Sequence, residues 1–330
     1  MMLKIGLVGV GHLGRFHAEK LKANSLCQLV GIYDSNPERC KLVAEEFNLV
    51  PYPGYEELLQ DVEAVDIAAT TSSHYELAKA ALEQGKHIFI EKPITSELWQ
   101  AEELVNLANQ KGLKIQVGHI ERFNPVTLMV ENLIEDPLFI ESHRISSFQP
   151  RGTDVPVVLD LMIHDIDLIL DFVQGPVKQI YANGVGIFTP SIDIANARIE
   201  FENGSIANVT SSRVSLKQER KIRFFQSDAY ISLDFIAKVA SVTRINPEMM
   251  KFIPLILQGK MDIKPEQLVE IQRLDLSNSE QDALALELNS FIEAVLYNKK
   301  PIVDGQAGYR ALKVAMQIMD CINHQPETHI

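Results

Sequence analysis

A strand, a glycine-rich turn and a helix follow one another within the first 21 residues. Leu3-Lys4-Ile5-Gly6-Leu7-Val8 is a short apolar run of the kind that forms a buried strand. It passes directly into Gly9-Val10-Gly11-His12-Leu13-Gly14 and then into Arg15-Phe16-His17-Ala18-Glu19-Lys20-Leu21, which has helical spacing. In a strand, G-x-G-x-x-G, helix sequence the first glycine permits the tight turn, the second lets the backbone approach a pyrophosphate, and the third lets the helix pack closely on the strand. The unpaired N–H groups at the helix start, with the positive end of its dipole, then face the phosphates. A lone glycine motif is weak evidence, but a second apolar strand, Leu29-Val30-Gly31-Ile32-Tyr33, ends in Asp34. That is about twenty residues past the last glycine, where a ribose-binding carboxylate belongs. The stretch reads as a dinucleotide site.

Asp34 bears on which dinucleotide is bound. A carboxylate there accepts hydrogen bonds from the ribose hydroxyls and repels a 2′-phosphate, which favours NAD over NADP. Arg39, five residues on, could offset that repulsion.

The 330 residues suffice for two domains. A hydrophobic content of 46% against 23% charged supplies a sizeable core. The net charge of −13 argues against nucleic acid as partner, since a phosphate backbone is held by clustered Lys and Arg. No apolar run approaches the ~18 residues of a membrane span. The apolar start is too short for a signal segment and lacks a cleavage site, so a cytoplasmic protein is expected. Cys27, Cys40 and Cys321 are odd in number and widely spaced, which reads as buried free thiols.

Helix and strand signals alternate through about residue 118. Helical spacing at 37–47, with Ser35 or Asn36 as cap, precedes a strand at 64–69. Thr70-Thr71-Ser72-Ser73-His74 then leads into a helix at 75–84 that Gly85 stops. A strand at 86–90 ends at Glu91-Lys92-Pro93; a helix at 96–110 and a strand at 114–117 close at Gly118. This is the βαβ pattern of a parallel, doubly wound sheet, an α/β Rossmann domain over residues 1–120. Ligands on such a sheet sit at the carboxyl ends of the strands. Glycines 9–14, Asp34, Thr71–His74, Glu91–Pro93 and Gly118–Arg122 all fall at those ends, so they are expected in one crevice.

Beyond residue 120 the rhythm changes. A helix is expected from Asn124-Pro125 to about 134, a strand at 139–147 and a helix at 160–173. Strand-like runs follow at 179–185, 194–201, 205–211, 221–226 and 230–234, with Asn203-Gly204 as a hairpin turn. Successive strands predict a mostly antiparallel open sheet in a C-terminal α+β domain over 121–330. Closing helices are expected at 284–296 and 307–322, the last of which could pack back on the first domain. The stretch 277–282 and the tail from 325 read as exposed loop and terminus.

Two places carry chemistry. Lys92 ends a core strand before a proline that stiffens the turn, which fixes it over the crevice. The second is Val158-Leu159-Asp160-Leu161-Met162-Ile163-His164-Asp165-Ile166-Asp167-Leu168-Ile169-Leu170-Asp171. At about 100° per residue, Asp160, His164, Asp167 and Asp171 share one stripe of an otherwise apolar helix. A solvent-facing stripe is one reading, and Asp165, off the stripe, points to incomplete burial. One His among aspartates fits no tight zinc pattern, so no metal is expected. An acid–base reading needs Asp160 to orient His164, whose pKa lies near neutrality.

The glycine motif, Glu91-Lys92-Pro93, Arg122-Phe123-Asn124-Pro125 and the D-x-x-x-H-x-x-D of Asp160, His164 and Asp167 together resemble the Gfo/Idh/MocA oxidoreductases nearly end to end. The resemblance implies a Rossmann domain with an open-sheet partner domain whose face commonly forms a homodimer or homotetramer. It also implies that Lys92, Asp160 and His164 carry catalysis: His164 takes a hydroxyl proton while Lys92 polarises the oxygen and relays the proton. Expected at the cofactor are Gly9, Gly11, His12, Leu13, Gly14 and Asp34, then Thr71, Ser72, His74, Glu91 and Lys92. The stretches 116–125 and 157–168 look most like the sugar-nucleotide branch, which implies NAD-dependent oxidation of a secondary sugar hydroxyl, such as C3 of UDP-N-acetylglucosamine. Lys92, Arg122, Arg151, Asp160 and His164 are then expected at the substrate; Arg144 and Arg213 are further candidates, each open to a structural reading. The family's Thr-Pro before Thr71 is here Ala69-Thr70, and its Gly-Gly before the catalytic helix is Val155-Pro156. Both departures bear on loop shape and cofactor placement. The rival readings are an NAD-dependent glycosidase that oxidises transiently and a non-catalytic dinucleotide-binding regulator.

Overall fold

The computed structural model describes residues 2–148, 155–173, 175–260 and 264–324. In chain order the elements are β1 Leu3–Val8, α1 His12–Ala23, β2 Cys27–Tyr33, α2 Pro37–Phe47, α3 Tyr55–Asp61, β3 Ala64–Ile67, α4 Thr71–Glu83, β4 His87–Glu91, α5 Leu98–Lys111 and β5 Ile115–Gly118. A 3₁₀ turn Ile120–Phe123 precedes α6 Pro125–Val130 and β6 Phe139–Ile145. A π-helical turn Val158–Met162 runs into α7 Ile163–Phe172, followed by β7 Val177–Val185, β8 Ile194–Phe201, β9 Ile206–Ser212, β10 Glu219–Phe225, β11 Ala229–Asp234 and β12 Val239–Ile245. Three short helices, α8 Pro247–Met250, α9 Ile253–Leu257 and α10 Pro265–Leu268, precede β13 Val269–Asp275, α11 Ala283–Leu296 and α12 Gly305–Asn323.

The chain divides into two compact units, Met1–Phe123 with Gln281–Met316, and Asn124–Glu280 with Gln317–Ile330. The expected boundary at 120 falls just ahead of this division, and residues 281–316 belong to the first unit.

In the first unit five parallel strands lie in the order β2-β1-β3-β4-β5. Helices cover both faces, so β1 and β3 are apolar almost throughout. Asn36 caps α2 by accepting the Arg39 N–H, with Pro37 in the first turn. The later return of the chain completes the core: Leu288, Phe291 and Ile292 of α11 are buried with Ile5, Leu7 and Phe89. Two expectations are corrected here. Thr71–His74 form the first turn of α4 rather than a loop before it, and α3 has no counterpart among the expected elements because seven residues are too short for a clear period.

The second unit is an eight-stranded sheet in the order β13-β12-β11-β10-β6-β9-β8-β7. Every pairing is antiparallel except β6 with β9. Strand residues alternate: Ile140, Ile222, Ile231 and Val209 are buried, while Tyr181, Phe225 and Ile271 on the opposite face are exposed. Strands β12 and β13 lie beyond the run of strands read from the sequence. As an edge strand, β13 carries the charged pattern Val-Glu-Ile-Gln-Arg-Leu-Asp, which blunts the apolar alternation. The Asn203-Gly204 turn joins β8 to β9, with Gly204 at φ +90°.

All three cysteines are free; Cys27 and Cys40 are buried, whereas Cys321 is only partly so. Among the described residues no helix is long and apolar enough to cross a membrane. The tail from 325 lies outside the described residues.

Candidate active site

The glycine turn has the geometry its three roles demand. Gly9 sits at φ +86°, and a Cβ there would meet the Ala69 backbone at 2.6 Å. A Cβ on Gly14 would lie 1.9 Å from the Gly9 carbonyl oxygen, so the helix start packs on the turn with no room for a side chain. Gly11 has open space where a Cβ would stand. Helix α1 begins there without a side-chain cap, leaving its first N–H groups to a ligand, and His12 and Leu13 are exposed. These are the features that a dinucleotide pyrophosphate requires.

Asp34, at the end of β2, is buried and hydrogen-bonded at both oxygens. Its Oδ2 accepts the Val10 N–H at 2.9 Å and its Oδ1 the Asn36 N–H at 2.8 Å. Arg39 spans the carboxylate, donating from Nε to Oδ2 at 3.0 Å and from Nη2 to Oδ1 at 2.7 Å. Burial works against the charge, but Arg39 and the two N–H groups outweigh it and hold the carboxyl below its ordinary range. The link from Val10 to Asp34 joins the glycine turn to the end of β2.

At the ends of the next strands, Thr71 and Ser72 open α4, with Ser72 exposed. His74 is buried: Nδ1 faces the Pro93 carbonyl at 2.9 Å and Nε2 the Ala69 carbonyl at 3.1 Å. Its ring thus bridges the backbone just after β3 and just after β4. The Lys92 N–H donates to Glu91 Oε2 at 3.1 Å, and the Lys92–Pro93 peptide is cis. Beyond Gly118, Arg122 is buried on the 3₁₀ turn, its N–H donating to the His119 carbonyl.

In the second unit Asp160 lies on the π-helical turn and His164 in the first turn of α7, both partly buried. The Ile163 N–H reaches back to the Val158 carbonyl, five residues earlier. The regular 100° stripe therefore holds only from α7 onward, and Asp160 is turned away from its α-helical position. Such π turns recur at functional sites. Along the stripe Asp167 is buried and Asp171 exposed, so it is not a uniform solvent face.

Asp165 corrects another expectation. It is buried, and Arg144 of β6 spans it, from Nε to Oδ2 at 3.0 Å and from Nη2 to Oδ1 at 2.8 Å. Far from marking exposure, it anchors α7 to the sheet. Arg213 is likewise engaged, donating from Nε to Asp193 Oδ1 at 2.8 Å and from Nη1 to the Val155 carbonyl at 2.6 Å. For Arg144 and Arg213 the geometry supports the structural reading. Arg151 lies outside the described residues. Among the described residues no group of three or more His, Cys, Asp or Glu is placed to hold a metal ion.

Residues that sequence reasoning passed over are His17 and Asp66. A buried histidine three residues after the glycine motif and an aspartate inside an apolar strand were the available signals.

Turn, helix start and the carboxylate that closes β2 give the first unit the form of a dinucleotide-binding module. A family described as an oxidoreductase family with an NAD-binding Rossmann fold matches residues 3–119, and the GFO/IDH/MocA C-terminal domain matches residues 141–232. The chain belongs to the GFO/IDH/MocA oxidoreductase family. It is 34% identical over 317 residues to a UDP-N-acetylglucosamine 3-dehydrogenase from Acidithiobacillus ferrooxidans, covering 96% of each chain. A solved structure of that dehydrogenase matches with a TM-score of 0.87 over 98% of both chains. A scyllo-inositol dehydrogenase from Lactobacillus casei, solved with bound NAD(H) and scyllo-inositol, shares the fold at 21% identity, with a TM-score of 0.77 over 98% of this chain and 97% of its own.

Proposed function

We propose that the protein is an NAD-dependent dehydrogenase that oxidises the C3 hydroxyl of UDP-N-acetylglucosamine. The observation that carries this reading is the match to the Acidithiobacillus dehydrogenase of that name, at 34% identity over 96% of the chain. Gly9, Gly11 and Gly14, with the N–H groups of His12 and Leu13, hold the pyrophosphate, and Asp34 the adenosine ribose. Thr71, Ser72, Glu91 and the backbone held by His74 line the nicotinamide side. NAD, when bound, supplies the acceptor for the hydride leaving the carbinol carbon. His164 takes the hydroxyl proton, and Asp160 orients its ring and stabilises the charged form. Lys92 donates a hydrogen bond to the reacting oxygen and relays the proton. Arg122 and Arg151 are assigned to the diphosphate, since a guanidinium can pair bidentately with phosphate oxygens.

NAD is favoured over NADP because the Asp34 carboxylate stays charged where a 2′-phosphate would sit. A homodimer or homotetramer through the exposed face of the eight-stranded sheet, which carries Tyr181, Phe225 and Ile271, and a cytoplasmic location belong to the same reading.

A panel of UDP-N-acetylglucosamine, UDP-glucose, free N-acetylglucosamine and inositol, assayed for NADH formation, tests it. UDP-N-acetylglucosamine should be turned over best, with its C3 hydroxyl converted to a ketone and one NADH formed per turnover. Equal or better turnover of inositol or a free sugar would overturn the substrate assignment. Substrate cleavage without net NADH would mark the glycosidase reading instead.

A further inference from the structure

A largely buried chain of ionisable groups runs beneath Lys92. Asp66, inside β3, is wholly buried, and its Oδ2 lies 2.8 Å from Nδ1 of His17 on α1. The other ring nitrogen, Nε2, lies 3.2 Å from Glu91 Oε1. Glu91 Oε2, in turn, accepts the Lys92 N–H at 3.1 Å. The other oxygen of Asp66, Oδ1, has no donor among the described residues, so His17 supplies its side-chain hydrogen bond.

An imidazole facing a carboxylate at each nitrogen satisfies both when it carries two protons. Burial alone would lower the pKa of His17, but the charges and hydrogen bonds of Asp66 and Glu91 outweigh it and hold it well above the ordinary value. The Phe89 ring lies edge-on to the imidazole at 5.7 Å. Gly118 closes against Glu91 from the neighbouring strand, where a Cβ would come within 3.0 Å of the carboxylate. The Glu91 side chain is therefore boxed in, gripped at one oxygen and gripping the Lys92 backbone with the other.

We infer that His17, held by Asp66, is a positioning residue that sets the backbone of Lys92 through Glu91. This rests on the assignment of Lys92 to the reacting oxygen. Burying three ionisable groups under one strand end is a costly way to gain stability alone, since an apolar replacement serves as well or better. Directional hydrogen bonds from a charged ring fix the Glu91 rotamer, and hence the Lys92 N–H, in a way that apolar packing does not.

The test uses the full-length protein carrying Asp66→Asn, which is nearly isosteric, and separately His17→Gln, which keeps one donor. The first readout needs no substrate: the rate at which acetic anhydride labels Lys92, followed by mass spectrometry, with exposed Lys41 as internal reference. The second is kcat and KM on the best substrate of the panel. Labelling of Lys92 should change at least threefold relative to Lys41 in both variants. The kcat should fall roughly tenfold to 10²-fold with KM and NADH affinity nearly unchanged, as expected for a displaced reacting group. His17→Leu should be worse than His17→Gln. A folded variant that loses thermal stability but labels Lys92 at the parental rate and keeps parental kcat would overturn the inference, leaving the cluster purely structural. If no panel substrate is turned over by the parent protein, the functional reading fails, while the labelling still decides the positioning role.

Discussion

Arg39 lies bidentate across Asp34, at 3.0 and 2.7 Å, so the residue that should exclude a 2′-phosphate is itself shielded by a cation. The two side chains therefore push cofactor choice in opposite directions. Asp34→Ala should narrow the gap between NADH and NADPH affinity measured by calorimetry. Arg39→Ala should widen it by about tenfold, the equivalent of ~1.4 kcal/mol, because the carboxylate is then unscreened. A gap that widens in Asp34→Ala would reverse the assignment.

The glycine turn offers a pair of variants with opposite outcomes. Gly11 has open space where a Cβ would stand and Gly14 does not. Gly11→Ala should fold with unchanged Tm yet bind NADH about tenfold more weakly or worse, since the methyl occupies the approach to the pyrophosphate. Gly14→Ala must push the Gly9 carbonyl away and should cost about 1–3 kcal/mol, seen as a Tm drop of roughly 2–12 °C. Normal NADH affinity in Gly11→Ala would remove this turn from the cofactor site.

His164 should matter for turnover and not for cofactor binding. Its assigned proton-acceptor role predicts that His164→Asn folds and binds NADH normally but loses at least ~10²-fold in kcat. Asp160→Asn should give a smaller loss in the same direction, because it removes only the orienting charge. Near-normal kcat in His164→Asn would leave Lys92 as the candidate base.

Stability at low pH should depend on Asp193. Its Oδ2 accepts the N–H groups of Ile187, Phe188 and Thr189, and its Oδ1 accepts from Arg213. Burial opposes the charge, but Arg213 and the three N–H groups outweigh it and depress the carboxyl pKa strongly. A depressed folded-state pKa stabilises the protein above the unfolded-state value of about 3.9, and that stabilisation is lost as pH falls towards the folded value. Asp193→Ala strands a buried arginine and should cost about 3 kcal/mol or more at neutral pH, or roughly 6–12 °C in Tm. The difference from the parent should shrink below about pH 4. A gap that stays constant down to the acid transition would mean that the carboxylate charge is not what holds this turn.

What the sequence determined by itself was whatever depends on neighbours along the chain. Strand, glycine turn and helix are contiguous, and Asp34 closes the adjacent strand, so the dinucleotide site was readable from spacing. The same holds for the Asn203-Gly204 hairpin and for a cap of α2 at Ser35 or Asn36, of which the structure uses Asn36. The tertiary structure alone decided the partners of the buried charges. Asp66 and Glu91 lie 49 and 74 residues from His17, and Arg144 finds Asp165 across 21 residues. A buried ion announces that it must have a partner, because desolvation is costly, but not which element will bring one. For that reason Asp165 read as a sign of exposure until the sheet placed Arg144 on it. The π turn beneath Asp160 escaped for a related reason. Helical periodicity assumes one residue spacing throughout, and a local shift to five-residue hydrogen bonding leaves no mark on composition.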